Sequence, residues 1–350
     1  MKRIALLSLL VPFSATAAAT QAEPSTSPAQ ELAGFEALVG RWTGSGTVRD
    51  KADAEALAWT AESSIERILG GHCIREDLSV DFGEAIPGRL EMSAIYGFDA
   101  ERGRLVSYAV SNFESGVSVA DVYWQGAGVL VSFTTTKDAA GTPTMERRIV
   151  RVTEAGWTLR IEYSVGAEPT FTHAEGRFTR AEADATAHVR DASASFVPAP
   201  SEMERLGALV GVWRVEGEMT MVPGAEPMQF MGTDTYTVDF GGQILASHVV
   251  GDEGPMGIYE GIGLAGWQPD DSCYRFAWAD NMGMIMMSEA RWADDRRLVF
   301  THSRAMMGQP SVERAILEFG EHGITAFSSD RMLAVHAAER AFEATYIRAN

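Results

Sequence analysis

From Arg104 to Ser164 the chain alternates apolar and polar residues with a period of two, in short runs separated by turn-forming residues. Arg104–Ser111, Val117–Trp124, Val129–Thr136, Arg147–Val152 and Thr158–Ser164 are such runs, and Asp99-Ala100-Glu101-Arg102-Gly103 is a break ahead of the first. Period two places successive side chains on opposite faces of a strand, so each run predicts a half-buried β-strand. A different pattern stands ahead of the strands. Leu32, Phe35, Leu38 and Val39, and later Met203, Leu206, Leu209 and Val210, fall at helical spacing. Ser27-Pro28-Ala29-Gln30 and Ser201-Glu202-Met203-Glu204 read as capped helix starts, with Gly40 and Gly211 as the stops.

The two helices open two copies of one repeat. Phe35–Trp42 recurs as Leu206–Trp213 and Gly70-Gly71 as Gly241-Gly242, both at an offset of 171. Gly97-Phe98 matches Gly266-Trp267 at 169, Trp124 matches Trp292 at 168, and Glu146-Arg147 matches Glu313-Arg314 at 167. Phe178-Thr179-Arg180 matches Tyr346-Ile347-Arg348 at 168. Landmarks in one order with so small a drift imply a duplicated domain with minor loop deletions in the second copy. Residues 183–200, rich in Ala, Asp, Ser and Pro, read as a linker between domains 27–182 and 201–350. A meander of about ten strands per copy does best by closing on itself, which removes its edges. The expected fold is all-β: two tandem antiparallel up-and-down β-barrels, each opened by a short helix that plugs one end, and each able to fold alone.

Gly40-Arg41-Trp42 and Gly211-Val212-Trp213, with Arg180 and Arg348 at the closing strands, resemble the lipocalin-like (calycin) pattern. That resemblance implies structural roles for Trp42, Arg180, Trp213 and Arg348, the cation lying over the indole at the closed end. Each copy is also similar to a bacterial domain-of-unknown-function family with a lipocalin-like barrel. Leu69-Gly70-Gly71, Tyr96-Gly97-Phe98-Asp99 and Trp278-Ala279-Asp280-Asn281-Met282-Gly283 followed by Met287-Ser288-Glu289 carry that likeness. The first copy departs from it, with Ser111-Asn112-Phe113-Glu114 where the tryptophan segment should stand. More distantly, His173 followed by Arg180 resembles in spacing the last-strand histidine that holds haem in nitrobindin-like barrels. Period two puts His173 with Glu175 and Arg177, opposite Ala174, Gly176 and Phe178, so it is expected to point outward and no cofactor is expected.

The chain starts Met1-Lys2-Arg3, runs through apolar Ile4–Phe13, and continues with Ala15, Ala17, Ala18, Ala19 and Ala22. This predicts a signal peptide over 1–22, too short to span a bilayer, and a periplasmic or secreted product with no membrane insertion after its removal. The net charge of −19 becomes −21 once Lys2 and Arg3 leave, an acidic excess that repels nucleic acid and anionic lipid. Cys73 and Cys273 are not equivalent in the repeats, so a disulfide would have to join the two copies; two buried free thiols are the other reading.

The histidines show no metal-ligand spacing, and the chain lacks a nucleophile elbow, a P-loop and a dinucleotide fingerprint, so no metal site is expected and catalysis is not the leading reading. Methionine supplies the remaining signal, because thirteen of sixteen fall at or after Met203. On one continuous strand Met282, Met284 and Met286 would share a face with Trp278 and Asp280. The five then predict an adaptable ligand-binding wall with Asp280 as polar anchor, holding a small apolar or amphipathic molecule. A filled core, a thioether site for Cu(I), and an enzyme with Asp280 as acid/base are the alternatives.

Overall fold

The computed structural model describes residues 28–137, 141–182, 195–220, 224–252, 257–306, 309–333 and 338–349. The expected signal peptide, most of the linker, Met307, His188 and His336 lie outside the described residues. The first repeat opens with helix α1 (Pro28–Ala33) and a 3-10 turn over Gly34–Ala37. Its strands are β1 (Gly40–Val48), β2 (Leu57–Ile68), β3 (Cys73–Asp81), β4 (Arg89–Asp99), β5 (Arg104–Ser111), β6 (Ser118–Trp124), β7 (Val129–Lys137), β8 (Pro143–Thr153), β9 (Gly156–Val165) and β10 (Phe171–Arg180). The second repeats the order with α2 (Glu202–Leu206), β11 (Gly211–Met219), β12 (Met228–Asp239), β13 (Ile244–Gly251), β14 (Glu260–Gln268) and β15 (Cys273–Asp280). It ends with β16 (Ile285–Trp292), β17 (Arg297–Met306), β18 (Gln309–Gly320), β19 (Gly323–Leu333) and β20 (Glu339–Arg348). Each set of ten antiparallel strands closes into its own barrel, by β1 on β10 and by β11 on β20.

One device shuts one end of each barrel. The Trp42 indole donates to the Leu38 carbonyl at 2.7 Å and the Trp213 indole to that of Leu209 at 2.6 Å, which ties the opening helix to the first strand. Arg180 and Arg348 lie opposite these tryptophans in the ladder, 4.6 and 5.5 Å from the ring centroids, and reach back to the carbonyls of Val39 and Val210. Gly40 and Gly211 do not stop the helices, which end several residues earlier. They begin β1 and β11 at φ of 135° and 138°, where their lack of a Cβ leaves room for the arginine. Nor does Ser201 cap α2 as expected; it is itself helical, and its hydroxyl turns to the Glu202 carboxylate.

The barrels stand side by side with opposite ends adjacent, joined by an apolar cluster distinct from either interior. Val106, Tyr108, Val110 and Val117 from the outer face of the first barrel meet Ile244, Ala277, Ala279 and Ile285 of the second. The Leu-Gly-Gly signature feeds this contact. Leu69 and Phe240 take positive φ of 54° and 51°, strained for residues with side chains, and both are buried in the shared cluster. Equivalent elements of the two repeats thus meet each other, the internal counterpart of a two-fold dimer interface. Cys73 belongs to this cluster, and both cysteines are free and buried.

Candidate functional site

The repeats fill their interiors differently. In the first barrel Glu76 on β3 and Arg148 on β8 form a buried pair, with Arg148 Nη2 2.7 Å from Glu76 Oε1. The Tyr96 hydroxyl donates to Glu76 Oε2 at 2.7 Å and accepts from Arg148 Nη1 at 2.8 Å. Burial pushes the Glu76 carboxyl up, but the Arg148 charge and these hydrogen bonds outweigh it and hold the group below the usual range. By ladder register, the equivalents of Glu76, Tyr96 and Arg148 in the second barrel are Ser247, Ala265 and Ala315. Aromatic rings take up the space instead. Phe276, Phe300, Phe327, Phe342 and Phe230 form a chain of ring contacts 4.6 to 6.5 Å apart, where the first barrel has Ser107, Ser132, Leu159, Ala174 and Trp59.

Above the charged floor, the first barrel is open. A cavity of about 1800 Å³ extends from its interior, past Leu78, Met92, Ile161 and Ala174, to the groove between the barrels. Polar groups also border it. Desolvation raises the carboxyls of Glu114 and Glu146 above the ordinary range, the latter despite Arg148 nearby. At the rim Phe196, from the described end of the linker, packs on Phe113 with ring centroids 6.1 Å apart.

His173 borders the same cavity, contrary to the outward direction expected from alternation. A bulge between Thr172 and Ala174 inserts it as an extra residue, so period two breaks there. Its ring lies 5.7 Å from Tyr163, Nδ1 is buried without a hydrogen-bond partner, and burial lowers its pKa, offset in part by the Arg49 backbone and Asp50. The direction of His173 therefore does not exclude a haem role.

The five predicted ligand residues do not share one strand face, because the chain turns between Asp280 and Ile285. Trp278 packs inside the second barrel over Gly261 and Gly263, opposite Met286 in the ladder. Met282 is exposed in the turn, while Met284 and Met286 border the cavity from the second barrel's side. Asp280 is 2% exposed and holds the turn itself: Oδ1 accepts the backbone N–H groups of Met282 and Met284, both at 3.0 Å, and Oδ2 accepts from Tyr259 at 3.2 Å. In the first repeat Ser111 does the same work, its hydroxyl accepting from the N–H groups of Phe113 and Glu114. The sequence departure at Ser111-Asn112 is thus a chemical equivalent.

Glu76, Arg148 and Tyr96 escape sequence reasoning because they stand on strands far apart in the chain. The absence of their counterparts in the second copy was the available signal, visible only once the inward positions are known.

The sequence pattern of DUF1579, a family of proteins of unknown function, matches the chain twice, over residues 27–178 and 199–348. The chain belongs to the DUF1579 family. Each DUF1579 match covers one closed barrel and its opening helix. A solved structure of unknown function from the DUF3598 family of Nostoc punctiforme aligns with 91% of this chain and 99% of its own, at 11% identity and a TM-score of 0.27. A candidate outer-membrane protein of Bacteroides fragilis aligns with 92% of this chain and 98% of its own, at 9% identity and a TM-score of 0.19. No curated protein matches the sequence.

Proposed function

We propose that this DUF1579 chain is an exported binding protein that holds a small apolar or amphipathic molecule in its first barrel, with the second as a filled partner. The observation that carries the reading is the contrast between the interiors: serine and alanine stand in the first barrel where phenylalanine fills the second, and the cavity lies on the first barrel's side. The inner stretch of its wall, with Trp59, Leu78, Met92, Leu159 and Ile161, is apolar, while charged side chains such as Glu114 and Arg275 border it elsewhere, a division that suits such a ligand. The charged start and apolar run of residues 1–13 support the export, and the acidic surface argues against nucleic acid as partner. Asp280 as acid/base is not adopted, since both its oxygens are engaged in the turn.

The test transfers the second barrel's filling to the first. Ala174→Phe copies Phe342, which packs between Phe230 and Phe327. An environment-sensitive apolar dye should bind the unaltered chain and lose affinity in this variant, with melting retained. Unchanged dye binding would place the dye elsewhere and remove the reading. His173 supports a second reading, haem ligation; a Soret band lost on His173→Ala would favour it over the amphiphile.

A further inference from the structure

The wall of the first barrel is slit along one seam. β6 and β7 pair only between Asp121–Trp124 and Leu130–Phe133; beyond these, toward the open end, each strand keeps its other neighbour but not this one. β16 and β17 part at the equivalent place, beyond Glu289 and Thr301, but there the His302 imidazole donates from Nδ1 to the Met287 carbonyl at 2.8 Å and spans the gap. Val119 and Thr134 occupy those positions in the first barrel, and no such bond joins them among the described residues.

The slit faces the groove between the barrels. Val119, Phe133 and Thr134 on its margins, and Met284, Met287 and Thr301 across the groove, border the same cavity as Ala174 within. At about 1800 Å³ that space exceeds the roughly 300–1,000 Å³ usual for a compact small ligand. A slit between two otherwise intact strands admits a single chain more readily than a fused ring system. Inside it the wall is largely apolar, whereas the groove offers Gln268, Arg275, Glu289 and Thr301 beside the methionines.

We infer that the ligand is a long-chain amphiphile threaded through the β6–β7 slit, with its hydrocarbon end in the first barrel and its remaining length in the groove against the second barrel's methionines. The inference rests on the binding reading above and extends it: the second barrel becomes half of the site. Thioether side chains suit a partner that varies along its length.

The experiment compares octanoic and palmitic acid by calorimetric titration of the full chain and of Thr301→Trp and Met284→Glu, which alter the groove and leave the first barrel untouched. Each variant should weaken palmitic acid by about tenfold, roughly the loss of two buried methylenes, and leave octanoic acid unchanged. The apolar dye serves as the folding control, since its site lies inside. Equal effects on both acids, no effect on either, or failure of palmitic acid to bind the unaltered chain overturns the inference. If the dye still binds and Ala174→Phe still blocks it, the binding reading survives that failure; if the dye result fails too, both fall.

Discussion

Asn112 in the first barrel and Asn281 in the second make the same three hydrogen bonds. Each backbone N–H donates to the carbonyl of a residue on the neighbouring strand, Glu91 at 3.0 Å or Glu260 at 2.9 Å, and each Oδ1 accepts that residue's N–H in return. Each Nδ2 donates two residues further back, to Arg89 at 2.9 Å or Ile258 at 2.8 Å. Asn112 carries one duty more: its carbonyl accepts from Phe196 N–H and from the Gln243 amide of the second barrel. Asn112→Ala keeps that main-chain carbonyl, yet it should destabilise more than Asn281→Ala, by about 2–4 kcal/mol against about 1–2, because the Glu91 N–H that its Oδ1 leaves behind is buried whereas Asn281 and Glu260 are partly exposed. Urea titration of both variants checks the order.

Removing Arg148 would leave Glu76 buried without its cation. Arg148→Leu should cost about 3–5 kcal/mol, and adding Glu76→Gln should recover part of it, since a neutral side chain needs no counter-charge. A double variant no more stable than the single one would mean that packing, not charge, governs the floor.

Asp234 lies opposite Trp213 in the second barrel, 2% exposed, and burial pushes its carboxyl up to about 7 despite the neighbouring hydroxyls of Tyr236 and Tyr346. With the folded value raised above the ordinary 3.8, the native state keeps the proton that the unfolded chain gives up. The stability linked to this group is then full below about pH 4, falls as pH rises toward 7, and is flat above. Asp234→Asn should abolish that slope and raise stability at pH 8 by about 2–4 kcal/mol. Melting curves of both proteins at pH 5 and pH 8 would show the difference closing at the lower pH.

A fragment of residues 27–182 keeps a complete ladder, opening helix and interior cluster, so it should melt cooperatively. It also uncovers Val106, Tyr108, Val110 and Val117, which the second barrel otherwise covers. Sedimentation should therefore find it self-associating, and replacing Val106 with Asp should return it to a monomer. A monomeric unaltered fragment would show that the shared cluster contributes little.

The sequence by itself determined the duplication, the all-β class, the strand number and the Trp–Arg closure. The first three rest on period-two alternation and on residues recurring at a nearly constant offset, both of which are properties of the chain read in order; the Trp–Arg closure was implied by the resemblance to calycin barrels. Arg104–Ser111 is found as a strand over the very span that its alternation predicts. Tertiary structure alone decided the site. A single extra residue at the bulge after Thr172 reversed the expected direction of His173, and a turn after Asp280 dissolved the face on which five ligand residues were expected to alternate. Whether a barrel is hollow depends on the summed volumes of inward side chains from ten strands, such as Ser107 and Ala174 against Phe276 and Phe342. Those volumes meet only when the sheet closes, so no local pattern carries them.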